Sequence, residues 1–371
     1  MGDISRNRVL FAGGGTAGHL MPAINIALQM THMDESVEPL FVGKKGGMES
    51  AIVAKFGFDI REIDVVGLKR NPMGIVRFLL CWRKGFNQAM KIIKNFEPSV
   101  VIGSGGYVSA PVVRAADKRK IPIFLQEQNS LPGLATRILS KRATAIFTAY
   151  EHAANFLPRE KCRLVGNPLR PDILDAERHS AAREFQLNPS RKILLILGGS
   201  SGAQAINRAV LTLINTDCIP PNWQILWQTG SKDFEKIKSL TPKEKFNGQI
   251  QPFIFNMPAA YSVADLIISR AGAMALSEIA VWGLPSILIP FPFATGDHQT
   301  LNARQFEKSG AAIVIPESEM ETKLSLTMEG LLNNESKRDN MAREAKKLAR
   351  PDASKIIAQI ILEKMNEVQT N

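Results

Sequence analysis

Short apolar runs rich in β-branched residues recur along the chain, each followed by a glycine-containing turn and then by a stretch whose apolar positions return with helical spacing. A brief apolar run bounded by turn residues fits a buried strand. The helical stretch behind it fits a crossover to the next parallel strand, so the alternation predicts βα units of an α/β protein. The clearest strands of the first half are expected at 8–12, 39–42, 100–103, 121–126 and 145–148, with a helix over 20–30 behind the first. The pattern restarts in the second half, with strands expected at 192–197, 224–228, 250–252, 266–269, 286–289 and 312–315. Between the halves, Gly166-Asn167-Pro168-Leu169-Arg170-Pro171 breaks both helix and strand and reads as a hinge. The last stretch, about 337–368, is helical with mixed charge and is interrupted at Pro351.

Length supports a division at the hinge: 371 residues exceed the size at which a single hydrophobic core stops growing. Two Rossmann-like halves with a hinge imply a ligand cleft between them, because open parallel sheets bind at the carboxyl ends of their strands. With 45% hydrophobic and 22% charged residues the chain reads as globular. Cys81, Cys162 and Cys218 lie far apart without a CxxC pair, which argues against a zinc knuckle, a redox motif or a disulfide framework and fits a reducing cytoplasm. The polar stretch 2–8 runs into a brief apolar segment without the cleavage site of a signal peptide. No stretch approaches the roughly 18 uninterrupted apolar residues of a membrane span, so a soluble or peripheral protein is expected. The excess of 46 basic over 35 acidic residues, a net +11, suits nucleic acid, an anionic membrane surface or phosphorylated substrates. No nucleic-acid-binding signature is present, and the aromatics are not interleaved with the basic residues, so nucleic acid is not an expected partner.

Four loops carry candidate chemistry. Gly13-Gly14-Gly15-Thr16-Ala17-Gly18-His19 follows the first strand and opens a helix. Its glycines allow a tight turn and close approach to a ligand, and the amides of the helix start favour anions. A dinucleotide fingerprint would want an acidic residue ending a second strand roughly 20 positions on, and Asp34 and Glu35 do not meet that need. His19 is either a polar helix-entry residue or a general base. Gly198-Gly199-Ser200-Ser201-Gly202-Ala203 offers a second phosphate cradle. From Ser269 to Glu278 a strand again turns through small residues into a helix, where Glu278 could accept hydrogen bonds from sugar hydroxyls or simply favour the helix dipole. In the polar loop 296–303, Gln299 and Asn302 supply donors and acceptors that suit sugar hydroxyls and ordinary loops alike. There is no DxD pair and no cluster with metal-ligand spacing, so neither metal nor cofactor is expected, and helix N-termini are the expected stabilisers of phosphate charge.

Taken in order, GGGTAGH with Met21-Pro22-Ala23, Gly105-Gly106-Tyr107-Val108-Ser109-Ala110-Pro111, Gln126-Glu127-Gln128-Asn129, Val165 to Arg170, Gly198-Gly199-Ser200, Arg270 to Glu278, and His298-Gln299 with Asn302-Ala303 resemble the MurG family over nearly the whole chain. These are inverting transferases that join GlcNAc from UDP-GlcNAc in β-1,4 linkage to lipid I, giving lipid II for peptidoglycan. The resemblance implies a GT-B architecture: an acceptor and membrane-facing domain over 1–166, a UDP-GlcNAc-binding domain over 167–345, and a final helix, about 346–371, returning to the first domain. By motif, Thr16, Ala17 and Gly18 would line the donor sugar and diphosphate, and Asn129 would contact the GlcNAc. Arg170 and Ser200 would hold the diphosphate, Ile254 the uracil, Ala271, Gly272, Ala273, Met274, Ala275 and Leu276 the nucleotide, Glu278 the ribose and Gln299 the sugar hydroxyls. His19 would assist deprotonation of the acceptor 4-hydroxyl, with Glu127 as its rival or as a group that orients the acceptor. Gln126 stands where the family often has His, and Ala17 replaces a common glycine, a strained change if that backbone needs positive φ.

The resemblance also implies the cytoplasmic face of the inner membrane, with other cell-wall enzymes as further partners. Between Asp64 and Glu97 no residue is acidic, while Lys69, Arg70, Arg77, Arg83, Lys84, Lys91 and Lys94 alternate with Leu68, Ile75, Phe78, Leu79, Leu80, Trp82 and Phe86. That stretch is either an interfacial helix for an anionic leaflet or an ordinary amphipathic helix with its apolar face in the core. The competing functions are a UDP-GlcNAc 2-epimerase of the same fold and a non-catalytic nucleotide-sugar-binding protein.

Overall fold

The computed structural model describes residues 7–67, 71–199 and 202–370. Ser200, and Leu68, Lys69 and Arg70 of the basic apolar stretch, lie outside these residues. The chain divides into two compact units, Met1–Pro171 with Pro351–Asn371, and Asp172–Arg350.

The first unit is built on β1 (Asn7–Gly13), β2 (Val37–Lys44), β3 (Asp59–Ile63), β4 (Val100–Gly105), β5 (Ile123–Glu127), β6 (Ala145–Thr148) and β7 (Cys162–Leu164). They pair in parallel in the order β3-β2-β1-β4-β5-β6-β7. The five strands read from the sequence are here, and β3 and β7 join them at the two edges. Those two carry Asp59, Arg61, Glu62 and Arg163 on exposed positions, so they lack the continuous apolar run that marks a strand covered on both faces. On one face of the sheet α1 (Ala17–Met33) buries Leu20, Ile24 and Ala27 with Ile357, Ala358, Ile361 and Met365 of the closing helix, Ala353–Thr370. On the other face α3 (Pro72–Phe96) and α4 (Gly106–Lys118) contribute Ala89, Ile93, Val108 and Val112. A short helix, α2 (Glu49–Lys55), follows β2.

The hinge strip belongs to the first unit. Asn25 Nδ2 donates to the Pro168 carbonyl at 2.9 Å, and Ser354 Oγ donates to that of Leu169. The division therefore falls after Pro171 rather than at Gly166, and the closing helix starts at Ala353, not near 346. Pro351 separates it from the helix Glu335–Lys347 of the second unit, because proline has no amide to continue a helix and clashes with the preceding turn.

α3 resolves the ambiguity of the basic apolar stretch. Asn71 caps it by accepting from the Gly74 amide at 2.6 Å, with Pro72 in the first turn, and only Gly85, Ala89 and Ile93 of its second half are buried. Over its first turns Met73, Val76, Leu79 and Leu80 are 86%, 58%, 59% and 67% exposed, so that apolar face is not core. Among the described residues no helix is long and apolar enough to cross a membrane.

The second unit repeats the plan with β8 (Lys192–Leu197), β9 (Trp223–Gln228), β10 (Gly248–Gln251), β11 (Leu266–Ser269), β12 (Ser286–Leu288) and β13 (Ala312–Val314). All are parallel, in the order β10-β9-β8-β11-β12-β13, and each matches an expected strand to within two residues at either end. Helices Gln204–Asn215 and Met320–Leu332 cover one face, Ala273–Trp282 and Met257–Val263 the other.

The closing helix provides a direct test of the packing. Ile357 is fully buried against α1, so Ile357→Ala should lower stability by about 2–5 kcal/mol in chemical denaturation. A midpoint unchanged from the parent would contradict the packing described.

Candidate active site

In a parallel sheet every carboxyl end lies along one edge, and where the strand order reverses, the loops leaving two neighbouring strands diverge and open a crevice. In the first unit that reversal lies between β1 and β4, followed by the Gly13–His19 loop and by Gly105-Gly106. In the second it lies between β8 and β11, followed by Gly198-Gly199 and by Arg270 to Gly272. Loops singled out by their glycines thus occupy the switch point of each sheet.

In the first unit the loop is braced from below. Gly15, at φ +88°, donates its amide to Glu49 Oε1 at 2.7 Å, and Glu49 is 1% exposed. A methyl group at Gly14 or Gly47 would lie 2.3 or 1.9 Å from that carboxylate, so a side chain on either side would displace it. Sequence reasoning missed Glu49; its only signal was the Gly46-Gly47 turn ahead of it. Thr16 caps α1 without a side-chain hydrogen bond and is exposed, as is Gly18. Ala17 opens the right-handed helix, so its backbone is not at positive φ.

His19 stands in the first turn of α1, half-buried. Gly105, at φ +101°, lies under its ring: a Cβ there would be 2.7 Å from Nδ1. Gly106, at φ +74°, packs so closely that its Cβ would fall 2.0 Å from the Gly14 carbonyl oxygen. His19 Nδ1 is 3.3 Å from Gln128 Oε1. Gln128 Nε2 donates to the Ser104 carbonyl and to Gln126 Oε1, both at 2.6 Å. Gln126 Nε2 donates to Asn167 Oδ1, and Asn167 Nδ2 to the Gln128 carbonyl, both at 3.2 Å. Gln126 therefore accepts from one neighbour and donates to the next, which a neutral histidine could also do.

Glu127 is 2% exposed. Its Oε1 accepts from the Asn129 backbone at 3.1 Å and the Asn129 side chain at 3.4 Å, and Oε2 from the Gly133 amide at 3.0 Å. Both oxygens are engaged within its own loop, so the carboxylate shapes the turn that carries Asn129. Arg170 is half-buried at the end of the hinge strip.

In the second unit Glu278 sits in the second turn of Ala273–Trp282, half-buried, and accepts from Tyr261 Oη at 2.8 Å. Tyr261 is 1% exposed; burial, and then the Glu278 charge, push its hydroxyl well above its usual pKa and keep it a neutral donor. The segment assigned to the nucleotide divides: Ala271 and Leu276 are fully buried core, Ala273 is buried, and Gly272, Met274 and Ala275 are half-buried. The Ile254 side chain is also core, while its amide donates to Gln228 Oε1 at 2.8 Å, and Gln228 Nε2 donates to the Gly199 carbonyl at 3.0 Å. Ile254 is 1% exposed as a whole and its amide is engaged, so the fold does not present it to a uracil. Gln299 Oε1 accepts from the Phe291 amide at 2.9 Å. Arg270 donates to the Ile289 and Pro290 carbonyls at 3.2 Å each and pairs with Glu317 at 2.5 Å, so it pins that loop. Among the described residues no group of three or more His, Cys, Asp or Glu could hold a metal ion.

Known proteins share this arrangement. Residues 9–148 match the glycosyltransferase family 28 N-terminal domain, and residues 193–357 its C-terminal domain. The UDP-N-acetylglucosamine–N-acetylmuramyl-(pentapeptide) pyrophosphoryl-undecaprenol N-acetylglucosamine transferase of Desulforamulus reducens is 40% identical over 356 residues, 93% of this chain and 95% of that one. A crystal structure of Acinetobacter baumannii MurG gives a TM-score of 0.75 at 28% identity, covering 96% of this chain and 99% of that one. A UDP-GlcNAc 2-epimerase from Neisseria meningitidis, bound to UDP-GlcNAc, gives 0.64 at 14% identity over 96% and 99%, a likeness of fold alone. The chain is an α/β protein of GT-B fold and belongs to glycosyltransferase family 28, among the MurG enzymes.

Proposed function

We propose that the chain moves GlcNAc from UDP-GlcNAc to the 4-hydroxyl of MurNAc in undecaprenyl-diphospho-MurNAc-pentapeptide, lipid I, giving lipid II for peptidoglycan synthesis. The observation that carries this reading is the 40% identity, along 93% of the chain, to a transferase named for that reaction. The reaction is a direct displacement with inversion. The acceptor O4–H bond breaks and its proton passes to His19, while the oxygen electron pair forms the bond to the anomeric carbon. The bond from that carbon to the diphosphate breaks, and UDP leaves with its electron pair. Charge on the departing diphosphate is met by helix-start amides and Arg170, with Ser200. Asn129, held by Glu127, contacts the GlcNAc, and Gln299 its hydroxyls; Glu278 takes the ribose. Glu127 supports this reading as a brace better than as a base, because both its oxygens already accept N–H groups.

The acceptor carries an undecaprenyl tail, and we place the protein peripherally on the cytoplasmic face of the inner membrane through α3. Its exposed Met73, Val76, Leu79 and Leu80 can enter the interface while Arg77, Arg83 and Lys91 meet anionic headgroups.

Label from UDP-GlcNAc should appear in the lipid product only when a lipid I analogue is present. His19→Ala should keep donor affinity and lose about 10²–10⁴-fold in kcat, the range of a general base; undiminished turnover would remove His19 from that role. Tyr261→Phe should raise the donor KM roughly tenfold with kcat little changed, because Glu278 loses a donor to a charged group. An unaltered KM would refute the brace. Leu79→Glu with Leu80→Glu should weaken binding to anionic vesicles about tenfold or more and leave the circular dichroism spectrum intact, whereas parental vesicle affinity would exclude α3 as the anchor.

A further inference from the structure

We infer that Gln128 is a positioning residue that holds His19 as the Nδ1–H tautomer, leaving the lone pair on Nε2. Its catalytic meaning rests on the reading of His19 as the base. The inference follows from which atoms can only accept.

Two main-chain carbonyls anchor the amide chain. Asn167 Nδ2 lies against the Gln128 carbonyl, which cannot donate, so Asn167 Oδ1 is the atom turned to Gln126. Gln126 must then present Nε2 to Asn167 and Oε1 to Gln128. Gln128 in turn must present Nε2, and the Ser104 carbonyl demands the same independently. Turning the Gln128 amide over would set oxygen against oxygen at 2.6 Å twice, in a site where Ser104, Gln126, Gln128 and Asn167 are at most 2% exposed. Unpaired buried acceptors are costly, so the polarity is fixed from both ends. Gln128 Oε1 is consequently an acceptor facing His19 Nδ1, and the ring nitrogen there must carry the proton. Gly105 under the ring leaves it the room to lie there.

A neutral imidazole with its proton on Nδ1 has its basic lone pair on Nε2, the nitrogen remote from the buried chain. Every link is uncharged, so Gln128 relays no charge; it selects the tautomer. Without it, the proton could settle on Nε2 and the ring could not accept from the hydroxyl at that atom.

The test is nitrogen NMR of the full chain with isotope-labelled histidine, the His19 signals being identified by their loss in His19→Gln from among five histidines. Above its titration, His19 should show a pyrrole-type Nδ1 and a pyridine-type Nε2. The reverse pattern would overturn the inference. In Gln128→Leu the pattern should shift toward Nε2–H, and kcat should fall about tenfold or more with the donor KM within about twofold; a parental ring pattern and kcat would overturn it too. The two readings fail differently. An Nδ1–H ring with full transfer by His19→Ala sinks the base and upholds the tautomer, whereas an Nε2–H ring with inactive His19→Ala does the opposite.

Discussion

The constraint on which the rest depends is the reversal of strand order beside the first strand of each sheet. Parallel strands deliver every outgoing loop to the same edge, and the reversal spreads two of those loops apart. In the first unit this places Gly13–His19 beside Gly105-Gly106, and in the second Gly198-Gly199 leave β8 where Arg270 to Gly272 leave the neighbouring β11. Hydrophobic cores on both faces of each sheet hold the strands in that order. The chemistry is thus carried by short loops on a rigid support.

Close approach at the first switch point leaves no room for side chains, which is why Gly14, Gly105 and Gly106 are glycines. What fills the space instead is a set of buried polar groups: Glu49 on the Gly15 amide, Glu127 on the Asn129 turn, and the amide chain from Asn167 to His19. Buried polar groups destabilise a fold unless each finds a partner. Here they find partners in one another and in the main chain, and the same bonds that satisfy them orient the loop, Asn129 and the imidazole.

The sequence revealed much of this because its strongest signals are local. Strands covered on both faces show as apolar runs, which made most of the second sheet readable, while the half-exposed β3 and β7 did not stand out. Turns that need glycine show as glycine, so the switch-point loops were found. Contacts between distant positions leave no periodic trace. His19 and Gln128 are 109 positions apart, Gly15 and Glu49 34, and Tyr261 and Glu278 17, and none of these pairings could be read from spacing. Ile254 and Leu276 show the converse: a motif assigned them to the nucleotide, and the fold spends their side chains on the core. The α3 stretch was ambiguous because an amphipathic helix has the same period whether its apolar face meets a core or a membrane.

The fold alone is shared with a 2-epimerase that binds the same nucleotide sugar, so the fate of the donor distinguishes the account from its nearest rival. The most direct measurement is a proton NMR time course of UDP-GlcNAc with the protein, with and without a lipid I analogue. The account predicts that donor is consumed only when acceptor is present, releasing UDP and giving a GlcNAc in β linkage to the acceptor. Conversion of UDP-GlcNAc to its 2-epimer without acceptor would contradict it.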